Sequence, residues 1–458
     1  MAPFAFHVIA KPAGPACNLA CSYCFYREKE GLYPRERRFV MTNDVLEAFI
    51  RQYIEAQDAP VVSFTWQGGE PTLLGVDYFR RVVELERRYA NGKRIENAFQ
   101  TNGTLLDDGW AGFLAEERFL VGISIDGPAA LNDRLRLDHA GRATLARVLA
   151  GLAALRKHRV EFNTLTCVQR ENADAPLDVY RFLRELGARF MQFIPVVELR
   201  AHGRASASET ESSSERVAEW SVEPEQYGRF LCAVFDEWVR RDVGRVFVQS
   251  FEVALAAWMG QDSSLCLFRP TCGLALVVEH NGDVYSCDHF VDHEHRLGNL
   301  TQEPLIEMVR ADVQTSFGRD KAHLPSRCET CDVRFACHGG CPKQRFVRVG
   351  AEDAPRANYL CPSYEAFLGY ADPYLRFMAD ELTRGRSAAG VMAWARERQR
   401  SNLAKARPAR EALCACGSGR KYRACCGRGR ASDPAAAAQD DSRGAAGITG
   451  SERTTRVP

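Results

Sequence analysis

The chain lacks any apolar run of membrane-spanning length. Its start, Met1-Ala2-Pro3-Phe4-Ala5-Phe6-His7, lacks the basic and apolar regions of a signal peptide. A membrane-embedded or exported protein is therefore not expected, and the cytoplasmic compartment is. The chain also lacks net charge: 60 Lys and Arg face 59 Asp and Glu, a formal +1. That balance offers no overall attraction to nucleic acid or an anionic membrane, so neither is an expected partner. Composition is otherwise ordinary, with 46% hydrophobic and 26% charged residues over 458, enough for two or three domains with their own cores. Cysteine is what the chain does not lack. Its 17 thiols, grouped in tight local spacings without an export signal, read as metal ligands rather than disulfides.

The first group is Cys17-Asn18-Leu19-Ala20-Cys21-Ser22-Tyr23-Cys24, a Cys-x3-Cys-x2-Cys trio. Such thiolates can hold three irons of a 4Fe-4S cube and leave the fourth open. That iron can chelate S-adenosylmethionine through its amino and carboxylate groups, and an electron then releases a 5′-deoxyadenosyl radical. The spacing alone is equally compatible with chance or a zinc site. A central group runs Cys266-x5-Cys272-x14-Cys287, Cys328-x2-Cys331-x5-Cys337-x3-Cys341 and Cys361. Its thiols suffice for two four-thiolate sites, either zincs or iron–sulfur clusters, and the electron traffic of a radical enzyme favours clusters. The last group, Cys414, Cys416, Cys425 and Cys426, closes a short basic segment without a core, as a knuckle around zinc does. Cys167 and Cys232 remain, in apolar surroundings, and read as small buried hydrophobes.

Along the chain, β-rich runs at 7–11, 61–66, 95–101, 120–126, 160–167 and 190–196 alternate with amphipathic stretches near 43–57, 77–89, 107–117, 142–157 and 177–186. Six β/α units in series predict an α/β fold whose parallel sheet curls into a partial or full barrel, with ligands at the strand ends. The trio follows the first strand. Gln67-Gly68-Gly69-Glu70-Pro71 follows the second; its glycines admit a close ligand, and carbonyls there can accept from an ammonium group. Gln100-Thr101-Asn102-Gly103 and Ser124-Ile125-Asp126-Gly127 end the third and fourth strands, where turn formation alone would also explain them. Ser124 is the candidate hydroxyl, and Arg136 the candidate partner of a carboxylate or ribose unless it is a surface residue. Asp288, directly after Cys287, is a candidate general base or a hydrogen-bonded loop aspartate.

Residues 6–12, the trio with Cys24-Phe25-Tyr26, Leu32-Tyr33-Pro34, Thr65-Trp66-Gln67-Gly68-Gly69-Glu70-Pro71 and Arg334-Phe335-Ala336-Cys337-His338-Gly339-Gly340-Cys341-Pro342 resemble the anaerobic sulfatase-maturating enzymes. These are radical S-adenosylmethionine (SAM) enzymes of the SPASM class, and the likeness spans about residues 5 to 375. Separately, Cys414-Ala415-Cys416-Gly417 and Gly419-Arg420-Lys421-Tyr422 with Cys425-Cys426-Gly427 resemble a SEC-C zinc motif.

The resemblance implies a partial six-unit radical SAM barrel over 1–250, with a Ser/Glu-rich insertion at about 200–221, and a SPASM domain over 251–380. A basic linker over 381–411, the zinc motif over 412–430 and a disordered tail over 431–458 complete the expected chain. It implies S-adenosylmethionine and three 4Fe-4S clusters as cofactors, with zinc at the C-terminal motif. The first auxiliary cluster would take Cys266, Cys272, Cys287 and Cys341; the second would take Cys328, Cys331, Cys337 and Cys361. Spacing does not give that interleaving, since consecutive pairing is equally sensible. Cofactor contacts would include Tyr23, Gly69, Ser124, Arg136 and Val197, with Tyr23 and Val197 acting through backbone or packing. The implied substrate is a sulfatase polypeptide whose Cys or Ser becomes formylglycine, with Asp288 as base and a donor such as flavodoxin or ferredoxin. A SPASM enzyme modifying another ribosomal peptide is the alternative.

Overall fold

In the computed structural model, which describes residues 5–34, 38–200, 217–405 and 420–421, the β-rich runs form strands and the amphipathic stretches form helices. In order they are β1 (His7–Lys11), α1 (Asn43–Glu55), β2 (Val61–Trp66), α2 (Val76–Tyr89), β3 (Arg94–Thr101), α3 (Asp108–Glu116), β4 (Leu120–Ser124) and α4 (Ala129–Leu135). There follow α5 (Leu145–Lys157), β5 (Phe162–Val168), α6 (Pro176–Glu185), β6 (Phe190–Pro195), α7 (Pro224–Arg241), β7 (Phe247–Val248) and α8 (Gln249–Trp258). The cysteine-rich part adds β8 (Ala275–Glu279), β9 (Asp283–Tyr285), β10 (Arg296–Asn299), α9 (Leu305–Arg310) and α10 (Asp312–Asp320). It ends with α11 (Arg334–Cys337), β11 (Arg345–Val347), β12 (Ala357–Asn358) and α12 (Cys361–Thr383), before α13 (Val391–Lys405).

Strands β1 to β7 lie side by side in chain order, all parallel. On the other side of β1 comes β8, also parallel, with Lys11 opposite Glu279; β9 and β10 then continue antiparallel. The result is an open ten-stranded sheet, a partial barrel. The cysteine-rich module thus extends the same sheet, because Leu276, Val277 and Val278 are buried on both faces of β8 and need cover there. The described chain up to Ala395 forms one compact unit, and the described residues from Arg396 lie outside it.

Strand alternation decides which side chains meet the helices and which line the inside. Val62, Phe64 and Trp66 of β2 point outward, where Phe49, Tyr53, Phe79 and Phe99 surround them with edge-to-face rings. The opposite parity turns Lys11, Thr65, Gln100, Ser124 and Cys167 inward. A second aromatic layer, Phe235, Phe251 and Phe367, packs α12 against α7 and α8.

Two expectations change. The solvated stretch at about 200–221 is described only from Val217, and there it packs: Ala218 N–H donates to Glu198 O at 2.7 Å and Val222 N–H to Val196 O at 2.9 Å. Val217, Ala218 and Val222 supply the apolar side chains that the Ser-rich part lacks. The expected basic linker carries α13, whose Trp394 stacks on Phe377 at 5.0 Å. Among the described residues no helix is long and apolar enough to cross a membrane.

Candidate active site

The turn after β2 lies against the trio loop. Gly69 N–H donates to Gly14 O at 2.8 Å and Glu70 N–H to Ala16 O at 2.7 Å. A Cβ on Gly69 would stand 1.9 Å from the Ala16 carbonyl oxygen and 2.4 Å from its carbon, both rigid backbone atoms. Only glycine permits this approach. Gly69→Ala is therefore expected to push the trio loop aside: iron per chain falls while the far-UV circular dichroism stays as in the parent. Unchanged iron would show that the loop gives way easily.

Glu70 is fully buried and ties β2 to the end of β3. Its carboxylate accepts from Thr72 N (3.1 Å), Thr72 Oγ1 (2.6 Å), Thr101 Oγ1 (2.7 Å) and Asn102 N (2.7 Å). With the acid so occupied, a ligand ammonium would have to be met by backbone carbonyls of the glycine turn. Asn102 Nδ2 in turn donates to Asn18 Oδ1 at 2.8 Å and reaches Cys17 Sγ at 3.8 Å. Cys17 and Cys21 are half-buried and Cys24 is exposed. Burial, aided by Glu70 and the neighbouring thiols, pushes Cys17 up to about 12.

Arg136, just past α4, is buried rather than on the surface. Its Nη1 donates to the Tyr23 hydroxyl at 2.9 Å and stands 3.9 Å from Asp126 Oδ2, and Tyr23 itself donates to Asp126. The Tyr23 hydroxyl thus links Arg136 to Asp126 inside the protein. Arg136 Nε is buried without a hydrogen-bond partner, beside Cys21, which feels the guanidinium charge. An orphaned donor next to the trio fits a carboxylate or ribose oxygen of S-adenosylmethionine. Ser124 Oγ accepts from Gln100 Nε2 at 3.3 Å, and Val197 is buried just beyond β6. Cys167 is not in the apolar surroundings its sequence suggested: burial and then Asp126 push its thiol up, and Tyr23, Arg136 and Cys21 are its other neighbours.

Asp288 sits across the same end of the sheet. Lys11 Nζ lies 2.6 Å from its Oδ1, and Gln67 Nε2 donates to its Oδ2 at 3.4 Å. Burial would push this carboxyl up, but Lys11, His289 and Lys343 outweigh it and hold the group below its ordinary value. Lys11 also stands 4.3 Å over the Tyr26 ring, and the Tyr26 hydroxyl donates to Glu279. Sequence reasoning missed Lys11 and Gln67. The parity of β1, which turns every second residue inward, was the available signal for Lys11.

The central thiols gather in two sets. Cys287 feels Cys341 and Cys266, and Cys341 feels Cys266 and Cys272; Cys341 Sγ lies 3.5 Å from His289 Nδ1. Cys328, Cys331, Cys337 and Cys361 line one small cavity together with Arg345. The sets are interleaved in sequence, not consecutive. Every described cysteine is a free thiol, and among the described residues no three His, Cys, Asp or Glu side chains close on one point as a single metal ion needs. A cluster spreads its thiolates over four irons and needs no such convergence. Cys414, Cys416, Cys425 and Cys426 lie outside the described residues.

Comparison with known proteins follows the same division. The Radical SAM superfamily matches residues 12–183, an iron–sulfur cluster-binding SPASM domain 266–332 and a SEC-C motif 412–428. A serine-type anaerobic sulfatase-maturating enzyme of Bacteroides thetaiotaomicron is 45% identical over 85% of this chain and 96% of its own. A cysteine-type enzyme of Clostridium perfringens is 34% identical over 82% of this chain and 98% of its own. A solved structure described as native anSMEcpe with bound AdoMet and Cp18Cys peptide superposes with a TM-score of 0.73 at 32% identity, covering 82% of this chain and 99% of that one.

Proposed function

We infer residue roles from the premise that this chain belongs to the anaerobic sulfatase-maturating enzymes of the radical SAM superfamily. Its reaction is the oxidation of an active-site Cys or Ser of a sulfatase polypeptide to formylglycine. Bound at their sites, S-adenosylmethionine and the clusters supply hydrogen-atom abstraction and a one-electron exit path. Everything else falls to side chains of the chain itself.

Cys17, Cys21 and Cys24 would hold the first cluster. The Gly69 turn, Arg136 Nε, Ser124 and the Tyr23–Asp126 pair would seat the cofactor, with Val197 as its apolar cover. Asp288, ionised, accepts the substrate proton; a thiol with an ordinary pKa of about 8.5 arrives protonated and needs such an acceptor. Lys11 and Gln67 fix the carboxylate's direction. Cys266, Cys272, Cys287 and Cys341 would hold one auxiliary cluster beside that base, and Cys328, Cys331, Cys337 and Cys361 a second. The C-terminal thiols would bind zinc. Free thiols in such number support a reducing, cytosolic setting, with a flavodoxin- or ferredoxin-like donor.

The observation that carries these roles is the ion pair of buried Lys11 with half-buried Asp288, adjacent to Cys287 and at the sheet end where the trio lies. The greater identity to a serine-type than to a cysteine-type relative supports serine as the target. The test is mass spectrometry of paired peptides, one carrying Cys-x-Pro-x-Arg and one Ser in place of Cys. Each is incubated anaerobically with reconstituted enzyme, S-adenosylmethionine and reductant. A hydrazine-reactive aldehyde on the serine peptide is expected. Conversion of the cysteine peptide alone would reassign the target. Release of 5′-deoxyadenosine with both peptides untouched would point to another ribosomal peptide.

A further inference from the structure

Arg345 opens β11, opposite Asn358 of β12. Its N–H groups all go to backbone carbonyls: Nε to Gly339 (3.1 Å), Nη1 to Lys321 (2.7 Å) and His323 (3.3 Å), Nη2 to His338 (3.0 Å) and Gly340 (3.3 Å). His338, Gly339 and Gly340 are the entire link between Cys337 and Cys341, one thiol from each auxiliary set. All three hold left-handed backbone, with φ of 46°, 73° and 64°. A Cβ on Gly340 would stand 2.6 Å from Asn358 Nδ2, and its φ of 64° strains any other residue there.

The same guanidinium lines the cavity of Cys328, Cys331, Cys337 and Cys361. The thiols that feel it come from both sets, Cys328 first, then Cys341, Cys272 and Cys337. Beneath it, buried Lys321 donates to the carbonyls of Cys266 (2.6 Å), Leu267 (3.0 Å) and Arg269, bracing a ligand turn of the other set. A part-buried cation whose donors are spent on neutral carbonyls still needs a counter-charge. Thiolate-ligated clusters, which are net anionic, would supply it on both sides.

On the reading that the eight central cysteines hold two clusters, we propose that Arg345 is a positioning residue for electron transfer between them. It locks the three-residue link and sets one fixed positive charge between the clusters, raising both reduction potentials and that of the second set more. The transfer moves one electron, oxidising the first cluster by one and reducing the second by one, with no proton. The final acceptor is a one-electron carrier. A charge at this range, discounted for partial exposure, is expected to change the reduction equilibrium about tenfold, or about 59 mV for a one-electron couple.

The test uses the full chain with Cys17, Cys21 and Cys24 replaced by Ala, so that only the auxiliary sites carry iron. Iron is counted and the clusters are titrated by electron paramagnetic resonance in the parent, Arg345→Gln and Arg345→Lys. We expect about eight irons per chain in the parent, midpoints lowered by about 59 mV in Arg345→Gln, the tenfold change in the reduction equilibrium, and midpoints restored in Arg345→Lys, which keeps the charge without the fork. Unchanged midpoints in an iron-replete Arg345→Gln would overturn the proposal. So would an Arg345→Lys variant shifted as far as Arg345→Gln, and that comparison decides the matter if the glutamine variant loses iron. Fewer irons in the parent would instead sink the cluster reading and the inference with it.

Discussion

Asp288→Asn is expected to go on releasing 5′-deoxyadenosine while aldehyde formation falls by about 10²- to 10⁴-fold, the range for losing a positioned base. The substitution keeps the shape of the side chain and the reach of Gln67, but an amide cannot take the substrate proton. It also leaves Lys11 buried without its counter-charge, with the ion pair of 2.6 Å gone. Some loss of thermal stability should therefore accompany the loss of product, and Lys11→Met in the same background should recover part of it. The two readouts are chromatography of the nucleoside and mass spectrometry of the peptide, taken from one reaction. A full aldehyde yield would remove Asp288 from the role. The pH dependence gives a second check. Lys11, with His289 and Lys343, holds Asp288 below its ordinary value against burial, so the base stays ionised through neutrality. The acid limb of aldehyde formation should then lie below about 4, the ordinary carboxylate value.

Cys21→Ala should abolish both products together. Its thiol is half-buried within the trio and lies near Arg136, so its loss removes an iron ligand at the edge of the cofactor site. With two ligands left, the open-iron cluster has no stable seat, and about four of about twelve irons per chain are expected to go. Folding should survive, because the sheet and its aromatic layers do not pass through the trio. Cys232→Ala is the control: it lies on α7, packed on the core and away from the thiol sets, and should cost little in stability and nothing in iron. Any 5′-deoxyadenosine above background from Cys21→Ala would mean that another group supplies the missing ligand.

Alternation of apolar and polar residues located the first six strands and the helices between them, except the seven-residue α4, within a few residues, because each element buries one face by its own period. The two-residue β7 was too short to show a period. The union of β8 to β1 was not legible either, since 260 or so residues separate strands that only the folded sheet brings together. The cysteine spacings fixed ligand-rich loops, since chelation by neighbouring residues is a local matter. They left open which thiols lie together, and three-dimensional proximity groups them: Cys341 with Cys287 and Cys266, and Cys337 with Cys328, Cys331 and Cys361.

The residues around the chemistry divide in the same way. By itself the sequence determined the β/α series, the three cysteine groups and the strand-end motifs, all of which are encoded within a few neighbouring positions. Only the tertiary structure put Lys11 against Asp288, the Tyr23 hydroxyl between Arg136 and Asp126, and Arg345 between the two auxiliary sets. Those are pairings of charge and hydrogen bond between distant segments. Their strength depends on burial and separation, which exist only once the chain has folded.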